Sequence, residues 1–195
     1  MKYRILKEDN INYFGRNLYR IQRISDNLLG GYIESEDNLS QDGECFIFDN
    51  AKVFENAKVK DNAKVRGNSK VYGNSIVSGR ANIHQNAQIF RNAIISGHAD
   101  VCGIVCGDVI VTGNARIDSH IYGSMKIDYT PIYVNGFSNT LTFFKDHVSF
   151  DEELHTYTAW FNNREDIEGR LITEGHPRHV IDQVYRLIEV FNGRI

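Results

Sequence analysis

The chain has 195 residues and a formal net charge of −3, which suits one elongated domain with small end pieces and lacks the polybasic character that nucleic acid or an anionic membrane surface selects. No run of about 18 apolar residues occurs, so no transmembrane helix is expected, and the N-terminal MKYRILKEDNINYFGRNLYRI lacks the continuous apolar core of a secretory signal. Three cysteines, Cys45, Cys102 and Cys106, cannot all pair and make no disulfide framework, so a cytoplasmic location is expected.

Residues 1–42 follow no fixed period. Tyr3–Ile5 and Leu18–Ile24 alternate apolar with polar residues and predict two short strands, with a turn-rich link from Asn10 to Asn17. Gly30-Gly31 predicts a bend, and Tyr32-Ile33 leads into a polar loop that feeds Cys45. A long repeat begins at Cys45, and the open end of a repeat exposes apolar side chains and unpaired backbone. The expected role of residues 1–42 is therefore a cap.

From Cys45 the chain reads CFIFDN AKVFEN AKVKDN AKVRGN SKVYGN SIVSGR ANIHQN AQIFRN AIISGH ADVCG. An aliphatic residue recurs every six positions from Ile47 to Val101, nearly always with Ala or Ser two positions before it and usually Asn three before it. Six residues fit neither a helix nor a long strand; they fit a short strand plus a corner. In Ala-Lys-Val, alternation turns Ala and Val to one face and Lys to the other. The next three residues turn the chain, where Asn and Gly tolerate positive φ. Three such units close a triangular coil of eighteen residues, and stacked coils pair their strands in parallel. Residues 45–118 predict about four coils, with Ala63 and Val65 buried and Lys64 exposed between them. After Val101 the inward candidates are Val105, Val111, Ile117, Ile121 and Ile127. Two four-residue steps there predict a tightened or distorted end over roughly 102–130. The repeat, 43–130, contains no proline, as an uninterrupted ladder requires.

Beyond Pro131 the character changes, and residues 131–195 predict a small α+β element. TLTFFKDHVSF predicts one or two strands. In DEELHTYTAWFNN, Asp151 is placed as an N-cap with acids in the first turn, and Leu154, Tyr157, Trp160 and Phe161 follow at helical spacing. HPRHVIDQVYRLIEVFNGRI predicts a second helix, with Val180, Val184, Leu187, Ile188 and Phe191 on one face and Gly193 near its end.

The six-residue repeat resembles that of the hexapeptide acyltransferases. Leu29-Gly30-Gly31-Tyr32-Ile33-Glu34 and Asn38-Leu39-Ser40, with LYRIQRI before them and Asn-Ala-x-Val repeats after, resemble phage and prophage proteins of the YdcK-type putative transferase group. The resemblance implies a mainly β fold, a left-handed parallel β-helix with an N-terminal β cap, commonly assembled as a homotrimer. It also implies a bacterial or phage-infected host cell as the setting. For catalysis it implies a histidine general base beside an acetyl-coenzyme A groove between subunits.

The chemistry of the chain itself is sparser. His84, His98 and His120 are the candidate bases in or near the prism, yet none sits on an excursion loop that would shape a site. No metal site is expected, because His176-x-x-His179 has no Cys pair or carboxylate to complete it. Residues eighteen apart stack on one face, so Phe54, Tyr72 and Phe90 form an outward aromatic ladder beside Lys52, Lys70 and Gln88. That ladder is either a binding surface or cross-strand stacking that stiffens the sheet. Ile76 and Ile94 stack on another face and are the candidate oligomer interface. These features favour a non-catalytic binding protein without a cofactor, acting on a host protein or a small ligand. The alternative is an acetyl-coenzyme A-dependent acyltransferase.

Overall fold

The computed structural model describes residues 1–134, 140–151 and 153–193. The chain divides into two compact units, Met1–Thr130 and Pro131–Ile195.

The first unit is a left-handed parallel β-helix of about five coils. Its three faces are stacks of short parallel strands. One runs from Phe46–Ile47 to Arg116–Ile117, the second from Lys58–Val59 to Lys126–Ile127, and the third from Lys52–Val53 to His120–Gly123. The repeat dictates this arrangement directly. The six-spaced aliphatic column from Ile47 to Val101 is fully buried, as are Ala63 and Val65, while Lys64 between them is exposed. Coil-to-coil bonds such as Lys64 N–H to Ala81 carbonyl (2.8 Å) and Arg66 N–H to Ile83 carbonyl (2.8 Å) satisfy the backbone around the prism.

Each six-residue corner from Asp49 to Gly97 places one residue in the left-handed region, immediately before the Asn position. Five of these nine residues are not glycine: Asp49, Glu55, Asp61, Gln85 and Arg91 have φ near 60°. The three acids answer a second need. Asp49, Glu55 and Asp61 each accept the N–H of the glycine one coil on, Gly67, Gly73 and Gly79, at 2.8, 2.8 and 2.9 Å. Beside them Asn56, Asn74, Asn92 and Asp108 form a side-chain ladder with bonds of 3.0, 3.1 and 2.8 Å.

The four-residue steps leave the stack in order. Val105, Val111, Ile117, Ile121 and Ile127 are all buried, and the pairing offset contracts from eighteen residues (Ile89 on Val71) to sixteen (Val105 on Ile89). The shortened corner needs a glycine: a Cβ at Gly103 would lie 1.9 Å from the Ser119 carbonyl oxygen. Shorter coils also bring Ile127 into a fifth layer beyond the four expected over 45–118.

The cap differs from expectation in two places. Strand β1 (Tyr3–Tyr13) continues through the proposed link, turns at Phe14-Gly15 (φ 49° and 80°), and pairs antiparallel with β2 (Arg16–Arg23). Gly30-Gly31 makes no bend; both lie inside β3 (Leu29–Ile33), which joins β2 to the prism by pairing in parallel with Lys52–Val53. The glycines are required by proximity. A Cβ on Gly30 would sit 2.6 Å from the Ile47 carbonyl oxygen, and one on Gly31 2.4 Å from that of Ala51. Buried Asn38 closes the neighbouring edge, its amide donating to the Glu55 and Ala57 carbonyls (2.9 Å each) while its oxygen accepts from Glu34 and Ser35 N–H. Leu18, Ile21, Ile33 and Leu39 fill the space inside the cap.

The second unit is an antiparallel sheet of Ile132–Val134, Leu141–Phe143, His147–Phe150 and Glu153–Thr156, followed by α1 (Tyr157–Asn162), α2 (Arg164–Thr173) and α3 (Arg178–Asn192). Asp151 is no N-cap. It has φ 55° in the tight connection between the last two strands, which pair Phe150 with Glu153; Glu152, expected in a helical first turn, lies outside the described residues. Helix α1 starts later, capped by Thr156, whose hydroxyl accepts the Ala159 N–H at 3.1 Å. The core gathers Phe143, Phe150, Trp160, Ile167, Leu171, Val184, Tyr185 and Ile188. No helix of the described residues is long and apolar enough to cross a membrane.

Candidate functional site

The three prism faces carry different chemistry, and register explains why. On the face shared with the cap, the rings of Phe54 and Tyr72 are 5.0 Å apart and 3° from parallel, and those of Tyr72 and Phe90 are 4.8 Å apart and 2° from parallel. The expected ladder is therefore formed, but its members are not equivalent. Phe54 is buried beneath the cap, with Tyr13 edge-on to it at 5.6 Å and Leu18 packed alongside, so it is withdrawn from any binding surface. Tyr72 and Phe90 remain half-buried. Partial burial raises the pKa of the Tyr72 phenol. The Lys52 and Lys70 ammonium groups lie 5.5 and 5.8 Å from the Tyr13 ring centre. Burial, then the neighbouring charges of Lys70 and Arg20, lowers the Lys52 pKa. The ladder continues through Cys106 and Tyr122, which pair in register below Phe90.

The second face carries Ile76, Ile94 and Ile110 in register, between Lys58 above and Lys126 below. Ile76 and Ile94 are half-buried and Ile110 is exposed. Beside them Ser96 donates to Thr112 at 3.2 Å. Sequence spacing missed Ile110 because the offset shortens to sixteen there.

The third face is aromatic at its first strand, where the Phe46 and Phe48 rings meet at 5.0 Å, and polar beyond it. His84 Nε2 lies 3.2 Å from Asp100 Oδ1, and the Asn82 amide donates to the same carboxylate oxygen at 2.6 Å. Asn82 Oδ1 is buried without a hydrogen-bond partner among the described residues. Farther down, the Cys102 thiol donates to Asp118 (3.0 Å), and burial together with that carboxylate pushes its pKa up to about 11. A thiol held protonated in this way is a poor nucleophile at neutral pH. His98 and His120 are exposed, and the fold does not bring either of them to His84: His98 occupies a corner, and His120 lies on the face of the aromatic ladder, edge-on to Tyr122 at 6.3 Å.

In the second unit two buried acids are held by cations. Glu153 accepts from Arg170 and contacts His155; these partners, Arg170 foremost, outweigh burial and lower its pKa. Glu168 is paired with Arg164 (2.6 Å) and Arg178 (3.0 Å). Comparison with known proteins finds no matching family model and no matching curated protein.

Proposed function

We propose that this chain is a non-catalytic, oligomeric β-helix binding protein of phage or prophage type, similar to the YdcK-type group, acting on a host protein or a small ligand. The observation that carries the reading is the open half of the aromatic ladder: two parallel rings, Tyr72 and Phe90, half-buried on a flat sheet next to Lys70. Stiffening of the sheet explains Phe54, which the cap covers, but gives no reason to keep large rings where water reaches them. Flat rings beside an ammonium group suit an aromatic or apolar partner surface carrying negative charge. In this reading the protein is a homotrimer, with Ile76, Ile94 and Ile110 of each subunit in a cyclic seam.

The test is a paired capture from host lysate with the unmodified chain and with Tyr72→Ser/Phe90→Ser. A specific partner retained by the first and lost by the second, at unchanged oligomeric state, supports the reading; equal retention defeats it. Separately, Ile76→Lys/Ile94→Lys places uncompensated charges in the seam, costing about 3–5 kcal/mol, and yields monomers or insoluble protein by light scattering. A monomeric unmodified protein removes the trimer.

The His84–Asp100 pair favours a second reading, an acetyl-coenzyme A-dependent acyltransferase, because a carboxylate can orient a histidine general base. Millimolar acetyl-coenzyme A is expected to leave the melting temperature unchanged. A saturable rise, with turnover abolished by His84→Ala, would favour the enzyme instead.

A further inference from the structure

The second unit brings together a set of side chains that sequence spacing keeps apart. Asp151 stands in the tight connection between the strands His147–Phe150 and Glu153–Thr156, while Glu174 and His176 flank Gly175 in the connection between α2 and α3. One ligand atom from each of Asp151, Glu174 and His176 lies within 4.8 Å of the other two. The His176 side chain is only 6% exposed; its Nε2 is 2.7 Å from Asp151 Oδ2, and its ring rests 5.1 Å from that of Phe150. The His176 N–H bonds to the Leu171 carbonyl at 2.9 Å, and Gly175 takes φ 94°, which lets the chain double back so that both flanking side chains meet Asp151. His179, the partner suggested by spacing, does not belong to the group.

We propose that Asp151, Glu174 and His176 form a binding site for a divalent first-row transition ion. The argument rests on donor chemistry and placement. One imidazole nitrogen and two carboxylates, with no sulfur, make a mixed nitrogen–oxygen set suited to zinc or manganese. With a neutral imidazole the set carries two negative charges, and the nearest cation on the same helix, Arg170, is committed to Glu153. An ion pair between His176 and Asp151 accounts for two of the three groups, and the Glu174 carboxylate beside them has only a through-space attraction to Arg170, whose hydrogen bonds go to Glu153. Ligands bound at about 2.1 Å in tetrahedral geometry are roughly 3.4 Å apart. Glu174 is exposed and free to swing inward to that spacing, whereas His176 is already fixed by its packing. Three protein ligands leave a position for water or for a carboxylate from a partner. The bound ion would fasten the strand connection to the α2–α3 connection.

The experiment uses the full, tag-free chain and metal ions alone. Calorimetric titration with zinc, and separately with manganese, is expected to give one site per chain, zinc the tighter. The ion should raise the urea midpoint followed by fluorescence of Trp160, the sole tryptophan, which lies in the same unit. Glu174→Gln, an exposed change that keeps the fold, should weaken zinc at least tenfold, as should Asp151→Asn, while His179→Ala should leave it unchanged. Circular dichroism checks folding of each variant. The proposal fails if the unmodified chain binds neither ion with a dissociation constant of about 10 μM or tighter. It fails equally if Glu174→Gln binds as tightly as the unmodified chain, or if His179→Ala loses as much affinity as Glu174→Gln.

Discussion

In the inward columns of the prism, from Ile47 to Ile127, the buried positions are aliphatic, Ala or Ser, and each aliphatic stacks on another one coil above or below. The Pro131–Ile195 unit buries Trp160, Tyr157 and Tyr185 together with the acids Glu153 and Glu168. Polar demands are met differently too. The prism satisfies its backbone through the ladder and its corners through acids and amides sixteen or eighteen residues away, whereas the second unit hydrogen-bonds two of its buried rings individually and leaves the Tyr185 hydroxyl without a partner among the described residues. Trp160 Nε1–H donates to the Val148 carbonyl (2.9 Å) and Tyr157 OH to that of Phe144 (3.1 Å). Repetition spreads stability over many small equal parts; the irregular unit concentrates it in a few large ones.

The sharpest test of that contrast is Trp160→Ala. Losing a fully buried indole costs about 3–5 kcal/mol, a large share of the stability of a unit this size, so its near-ultraviolet dichroism should collapse at temperatures where the far-ultraviolet β signal persists. Loss of both signals together would mean that the two units unfold as one. In the prism, Ile89→Ala should cost about 2–5 kcal/mol. The damage should stay with the coils that touch it, so hydrogen exchange should accelerate near residues 71, 89 and 105 and much less near Val59 or Ile127. Uniform acceleration would contradict a nearest-neighbour stack.

The same contrast explains what could be read in advance. The prism core followed from one residue type in six, because a side chain eighteen positions away occupies the same place in the next coil. Even the four-residue steps at Val105 and Ile121 were visible as shifts in that column. The cap is less legible in the sequence. Gly30-Gly31 looked like a bend because glycine permits one, yet here it answers close approach by the Ile47 and Ala51 backbones, a demand made by residues far along the chain. Phe54 belonged visibly to the ladder, but its cover comes from Tyr13 and Leu18, which have no place in the repeat. Helix α2 leaves little trace in the sequence pattern because REDIEGRLIT buries little more than Ile167, Leu171 and the paired Glu168. Likewise, nothing in the spacing of His176 and His179 pointed to Asp151, which reaches His176 through sheet topology.

Charge in the second unit gives a test against pH. The pKa of Glu153 is held below the ordinary carboxylate range, chiefly by Arg170. A depressed folded-state pKa contributes stability above the unfolded value, about 4.3, and that contribution is lost as pH falls through the lower folded value. Glu153→Gln should therefore destabilise the unit at neutral pH by about 1.5–3 kcal/mol, the range for hydrogen bonds to charged groups. The gap from the unmodified chain should narrow as pH drops below about 4.3. Urea midpoints followed by Trp160 fluorescence measure it. A gap independent of pH would show that the carboxylate acts by shape alone.

The smallest effect tests the corners. Asp61 holds φ 60° and accepts the Gly79 N–H at 2.9 Å. Asp61→Ala loses that bond, worth about 0.5–1.5 kcal/mol, and keeps a Cβ in the left-handed region. Asp61→Gly loses the same bond but relieves a backbone penalty of about 1–2 kcal/mol, offset by about 0.4–1 kcal/mol of extra unfolded-chain entropy. The glycine variant should therefore be the more stable of the two by a few tenths to about 1 kcal/mol, measured as the difference in urea midpoint of the far-ultraviolet signal. If alanine proves equal or better, the acid was kept for its side chain alone and the strain at φ 60° is negligible. If glycine wins, an acidic residue in one coil and a glycine in the next are two answers to one constraint, with the acid accepting strain in return for tying its coil to the coil below.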